Sequence, residues 1–283
     1  MFLSIGIPYD TKRIERLDLW LRRPLNQVVT LQVLLGAILI GVGVGFLSGA
    51  FGKGGSAIAT PLLHLLGVPA IVAIASPLPA TIPSTWLASR VYARTGEIDR
   101  RVVRLGLPIG LPATIVGALL TRWIPGGPLV VATDVVILVF GLRILLTRHA
   151  PGPSDAGAPA RGDRTTLARI LMVVGIVGFI SGLLGNSGGF LLAPLFMSVL
   201  GMPIHRALGT SLVLATCLAV PGTLVHALLG HIDWSLTLAF GVASAPAAAF
   251  GARLALRTKE RSLTLAYGFG LAGLAGGLLA IAH

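Results

Sequence analysis

Apolar residues along this chain fall into long, nearly unbroken runs rather than alternating with polar ones, which predicts helices buried in hydrocarbon rather than amphipathic helices or strands. The first run covers about residues 28 to 50 and a shorter one follows at about 54 to 67. Three full-length runs come next, at about 70 to 93, 102 to 122 and 127 to 147. After a polar linker the order returns, with runs at about 167 to 185, 188 to 201, 206 to 229, 235 to 256 and 262 to 282. Some twenty apolar residues at 1.5 Å each cross a hydrocarbon core about 30 Å thick, whereas about fourteen do not. The short runs therefore predict re-entrant or broken half-helices. The fold class expected is an all-α polytopic membrane protein of two repeats, each with about four long helices and one short segment.

The repeats rest on a phrase stated twice. Residues 45 to 62 read GFLSGAFGKGGSAIATPL and residues 178 to 195 read GFISGLLGNSGGFLLAPL, with eight of eighteen pairs identical. Register continues beyond the phrase after one inserted residue. Gly67-Val68-Pro69 meets Gly201-Met202-Pro203, and Gly96-Glu97-Ile98-Asp99 meets Gly230-His231-Ile232-Asp233. Duplication explains this better than composition does. The division that follows is a basic interfacial segment (1–27), a first membrane repeat (28–147), a polar linker (148–166) and a second repeat (167–283).

Composition supports the membrane reading: 54% of residues are hydrophobic and 11% charged, with mean hydropathy +0.89. Too little polar surface remains to coat a water-soluble globule. The 37 glycines fit close helix approach or helix breaks. A net charge of +12 would suggest nucleic acid in a soluble protein, but here the arginines cluster between apolar runs, as in cytoplasmic loops. No nucleic-acid partner is expected. The lone Cys217 excludes an intrachain disulfide.

Basic segments at 90–104, 143–169 and 253–261 should share the cytoplasmic side, while 123–128 and 226–238 carry no Lys or Arg. That arrangement requires inverted halves. It also sends the basic residues 1–23 to the opposite side, so one basic segment must break the rule.

Glycines at these spacings allow the backbone to open inside the membrane, tolerated only where freed N–H and C=O groups face protein or a water-filled cavity. Paired breaks in equivalent places mark anion sites in repeat-built transporters, where half-helix N-termini supply partial positive charge. Simple close packing through small residues is the alternative. The expected anion-binding residues are Ser48, Gly49, Gly52, Lys53, Gly54, Gly55 and Ser56 from the first phrase. Ser181, Gly182, Gly185, Asn186, Ser187, Gly188 and Gly189 come from the second, with Arg206 at the start of a later run. The two phrases are expected to approach each other near mid-membrane, holding the anion by backbone and hydroxyl donors.

Lys53 reads either as a fixed charge for the anion or as a snorkelling loop lysine, and Arg206 as an attractor or a helix-end anchor. Asp134, within VATDVVILVF, is the one carboxylate well inside an apolar run. It is a candidate proton carrier, or else an acid near an interface.

A phrase ending in Gly-x-Gly-Gly-Gly, an apolar stretch and Pro, repeated in each half before a segment such as His205-Arg206-Ala207-Leu208-Gly209-Thr210-Ser211, resembles the TauE/SafE family of sulfite exporters over about residues 30 to 282. Ser56 and Ser187 stand where the pattern has glycine, and Lys53 is a further departure. The resemblance implies a multi-pass carrier of sulfite, sulfonates or related small anions in a bacterial cytoplasmic (inner) membrane. The lipid bilayer and the anion are the partners, a homodimer is a candidate assembly, and no cofactor is implied.

Other motifs are weaker. Gly49 to Ser56 imitates a phosphate loop but has Lys53 before Gly54 rather than Gly-Lys-Ser/Thr after a strand. His64, His226 and His231 lack metal-ligand spacing, so no metal site is expected. Gly185-Asn186-Ser187-Gly188 resembles the nucleophile motif of rhomboid intramembrane proteases, with His226 as the base. A transporter is preferred because duplication already explains the phrase. A non-transporting membrane scaffold is a third reading.

Overall fold

The computed structural model describes residues 31–52, 56–124, 164–185 and 188–260, with isolated positions at 128, 135, 262–263, 265–266 and 269. All elements in the described residues are helical. They are α1 (Leu31–Phe51), α2 (Ser56–Leu65), α3 (Ala70–Ala75), α4 (Pro77–Arg94), α5 (Arg100–Leu120), a 3-10 turn (Thr121–Trp123), α6 (Arg164–Leu183), α7 (Gly189–Leu200), α8 (Ile204–Leu228) and α9 (Trp234–Arg257). Among the described residues, six spans are long and apolar enough to cross a membrane: α1, α3 with α4, α5, α6, α8 and α9. Large apolar side chains such as Leu39, Val42, Leu238, Val242 and Phe250 lie exposed along their outer faces. Such a surface suits lipid rather than water.

The expected runs match these helices with local differences. The run at 70–93 is two helices, because Pro77 has no N–H to continue the ladder and α4 starts anew with Pro77 in its first turn. Helix α6 begins at Arg164, inside the stretch expected to be linker. The polar Thr165 and Thr166 are compatible with a helix end emerging from the bilayer. The basic segment 1–27, the run at 127–147 and most of the run at 262–282 lie outside the described residues.

Glycine sets the pairing. Along α1, Gly41, Gly45 and Gly49 present bare backbone every four residues, and on α9 they meet Phe240, Ser244 and Ala248 in the same order. The two helices therefore run parallel at close range. On α6, Gly178 and Gly182 meet Gly110 and Thr114 of α5, again in parallel. Helix α4 runs parallel to α9, with Ser76 beside Asp233 and Thr237 and Ser84 beside Ser244. Helix α8 runs antiparallel to α4, since Thr85 bonds Thr216 while Tyr92 lies by Gly209 and Leu78 by Gly222. It runs parallel to α5, with Thr210 beside Asp99 and Leu218 beside Gly110. Thus α1, α4 and α9 point one way, and α5, α6 and α8 the other.

These directions gather Arg90, Arg94, Arg100, Arg101, Arg104, Arg169, Arg206, Arg253, Arg257 and Lys259 at one end of the bundle. At the opposite end Arg122 is the sole Lys or Arg among the described residues. Helix α1 starts at that sparsely charged end. Helix α2 then turns back along α1, bringing Leu66 against Gly36.

Candidate functional site

The first phrase closes α1 at the basic end. Gly52 has φ +65°, and a Cβ there would meet Ser211 Oγ at 2.7 Å and Leu208 Cδ2 at 2.8 Å. Glycine is needed both for the left-handed turn and for the close approach. The Ser211 hydroxyl donates to the Gly52 carbonyl (3.1 Å) and the Tyr92 hydroxyl to the Gly49 carbonyl (3.3 Å). Ser48 is buried on the same turn. The side chain of Ser56, which opens α2, and all of Lys53, Gly54 and Gly55 lie outside the described residues.

The second phrase closes α6 at the other end. Gly185, with φ +57°, packs against Ile74 just before α4. Gly188 caps the N-terminus of α7 with φ +70°, its carbonyl accepting from Leu191 N and Leu192 N. Ser181 is fully buried, and its hydroxyl oxygen would lie 3.0 Å from a Cβ on Gly188. Gly182 touches Thr114 and Ala118, and Gly189 is the first residue of α7. Asn186 and Ser187 lie outside the described residues.

Among the described residues the glycine breaks of the two phrases lie at opposite ends of the bundle, which corrects the expectation of one shared mid-membrane clamp. Gly49 lies by Tyr92 near the end of α4, and Gly185 lies by Ile74 ahead of its start. From Pro77 to Tyr92 alone the helix climbs about 22 Å. The reason is arithmetic: α1 and α6 run oppositely, and each crosses about 30 Å before reaching its glycines. Each break is thus delivered to a different face.

A hydroxyl cluster occupies the middle instead. Ser84 and Ser244 hydroxyls are 2.7 Å apart, and Thr85 and Thr216 hydroxyls 2.8 Å apart, where α4 meets α9 and α8. Thr85 also donates to the Thr81 carbonyl, and Ser84 to that of Ala80. Sequence reading passed over these residues. The signal was present in α4 as Thr81, Ser84 and Thr85, three hydroxyls on one helical face in an apolar segment.

At the basic end a cavity of about 410 Å³ is lined by Asp99, Arg101, Thr166, Ile170, Met202 and Arg206, among others. Small-molecule sites fall in this size class. Arg206 Nε stands 3.9 Å from Asp99 Oδ2, and its side chain is 45% exposed, so the pair adds little stability. The Asp99 carboxylate also accepts from Arg101 N and Val102 N, capping α5. Arg206, expected from the sequence to attract an anion or to anchor its helix, thus borders a cavity large enough for a small anion, with a carboxylate beside it.

At the opposite end the Nδ1 atoms of His226 and His231 are 3.1 Å apart. His231, in the connection between α8 and α9, is held below the usual imidazole range by burial. His226 is fully buried, and its ring approaches the backbone of Gly182. Asp134 lies outside the described residues. Among the described residues no group of three or more His, Cys, Asp or Glu could hold a metal ion.

Fold and site together define a multi-pass helical membrane protein with glycine-broken helices at both faces. The family profile described as "Sulfite exporter TauE/SafE" matches residues 37–281, and the chain belongs to that family. The family is one of membrane transporters and not of enzymes. A relative from Xylella fastidiosa (strain 9a5c), "Probable membrane transporter protein", is 29% identical over 249 residues, covering 86% of this chain and 93% of the relative. "Probable membrane transporter protein YunE" of Bacillus subtilis (strain 168) is 23% identical over 250 residues, covering 81% and 90%. No solved structure matches the chain.

Proposed function

We propose that this protein is a secondary transporter of small sulfur oxyanions, sulfite or organosulfonates, in a bacterial cytoplasmic membrane, with the basic end facing the cytoplasm. Its two halves are inverted repeats, and each glycine phrase serves as the gate and half-site of one face. The observation that carries this reading is a matched pair of links in equivalent places. Asp99 N donates to Thr210 Oγ1 and Asp233 N to Ser76 Oγ, each at 2.9 Å, joining each half to the other by the same bond. The antiparallel course of α1 against α6, and of α4 against α8, supports inversion.

The basic cluster and the 410 Å³ cavity suit capture of an anion at the cytoplasmic face. Along the path, hydroxyls and backbone N–H groups would hold sulfonate oxygens without a permanent ion pair, so release stays easy. Ser48 and Gly52 to Ser56 belong to the cytoplasmic gate, and Ser181 and Gly185 to Gly189 to the outer one. Lys53 adds charge to the first, and Asp134 serves as a proton carrier. Flux of sulfite, sulfate, taurine and sulfoacetate into liposomes containing purified protein tests the proposal. Transport of none of them, by protein shown to be folded, would overturn it.

A further inference from the structure

Tyr92 and His226 occupy equivalent positions in the two halves, and each lies against the equivalent glycine of its own phrase, Gly49 or Gly182. One link is a phenol and the other an imidazole, so the gates differ chemically: only the second can change charge near neutral pH. The imidazole is not isolated. His226 Nδ1 lies 3.1 Å from His231 Nδ1, which requires one nitrogen to carry a hydrogen and the other to accept it. The His226 ring is fully buried, so a charge on it in this arrangement is costly.

Resting on the transport reading above, we propose that the His226–His231 pair binds the proton that enters the cycle at the sparsely charged face, and that protonation separates α8 from the Gly182 turn of α6. The proton adds to an imidazole lone pair, and no bond between heavy atoms changes. A charged pair cannot stay in this buried arrangement without water or a counter-ion, so protonation favours the conformation in which that end is open. The resulting positive charge beside Gly182 is also where an anion would enter, so proton and anion favour each other's binding.

Among the described residues, the other charged or titratable groups at this end are engaged elsewhere. The α8–α9 connection brings Asp233, whose carboxylate is engaged as the cap of α9 by Leu236 N. The 3-10 turn after α5 brings Arg122, stacked over Trp123. Helix α2 brings His64, whose Nδ1 lies 3.0 Å from the Val68 carbonyl oxygen. Helix α3 and the last turn of α6 carry no titratable side chain.

The experiment uses full-length protein in liposomes, with [35S]sulfite and [14C]taurine as probes. Two rates are read in the same vesicles: counterflow exchange without a pH gradient, and accumulation driven by one. His226→Tyr gives the second half the residue of the first, and His231→Asn removes the half-buried partner with less risk to folding. In both variants the ratio of driven accumulation to exchange should fall by at least about tenfold, with a flattened pH profile. An undiminished ratio in both variants overturns the proton site while leaving the transport reading intact. A wild-type protein that exchanges neither probe overturns both.

Discussion

The amide of Asp233 donates to the hydroxyl of Ser76 across 157 positions of sequence, at 2.9 Å. Ser76 also accepts, through its carbonyl, from the Thr237 hydroxyl at 2.7 Å. One residue at the α3–α4 break therefore fixes where α9 begins.

Ser76→Ala should cost about 1 kcal/mol of stability, the ordinary value for one lost hydrogen bond. Thr210→Ala should cost a similar amount at the other end. Because the two lie at opposite ends of the bundle, their effects should add within about 0.5 kcal/mol. Unfolding of the detergent-solubilised single and double variants checks this, and strong coupling would contradict the separation of the two links.

Gly188→Val places a β-branched residue at φ +70°, with Val177 Cγ1 2.9 Å and Ser181 Oγ 3.0 Å from its Cβ. It should abolish flux in protein that still inserts. Gly67 has φ +86° but nothing within 4 Å, so Gly67→Ala reports the backbone strain alone, about 1–3 kcal/mol. Equal transport loss in both would assign the effect to strain rather than to the gate.

In the first phrase, Gly55→Val should likewise stop transport, while Lys53→Ala should weaken apparent affinity and leave measurable flux. Concentration dependence of sulfite uptake separates the two. A dead Lys53→Ala protein that is properly inserted would make that lysine the main anion contact.

A double-mutant cycle of Thr85→Val and Thr216→Val should give a coupling energy of about 0.6 kcal/mol, the average for hydrogen bonds between membrane helices. Thermal unfolding of the four proteins measures it. For Asp134, Asp134→Asn should remove proton-driven flux, and persistence of that flux would exclude the acid from coupling.

Much of the architecture was legible in the sequence because a bilayer demands a fixed length of apolar helix, and the short runs at 54–67 and 188–201 stood out against that rule. The equivalence of Asp99 with Asp233 was visible too. What could not be read was where the breaks would lie. The matching spacing aligns Gly52 with Gly185, yet the structure puts Gly52 by Leu208 and Ser211 at the basic end and Gly185 by Ile74 at the other. The hydroxyls of Ser84, Thr85, Thr216 and Ser244 were missed because each is unremarked singly, and only helix pairing brings them together. The break at Ser76 hid within an apolar run for the opposite reason, since Pro77 alone announces it.

Helices α4 and α8 cross antiparallel, joined by Thr85 and Thr216 near their middles. A rod held at its centre behaves as a seesaw: tilting one about the other widens the gap at one face and narrows it at the other. If the two glycine phrases are the gates proposed above, they sit at opposite tips of such a lever, and a continuous leak across the bilayer would require bending α4 or α8 rather than merely tilting it. In the proposed transport cycle the threonine pair would be the fulcrum, and its hydrogen bond would keep the two faces from opening together.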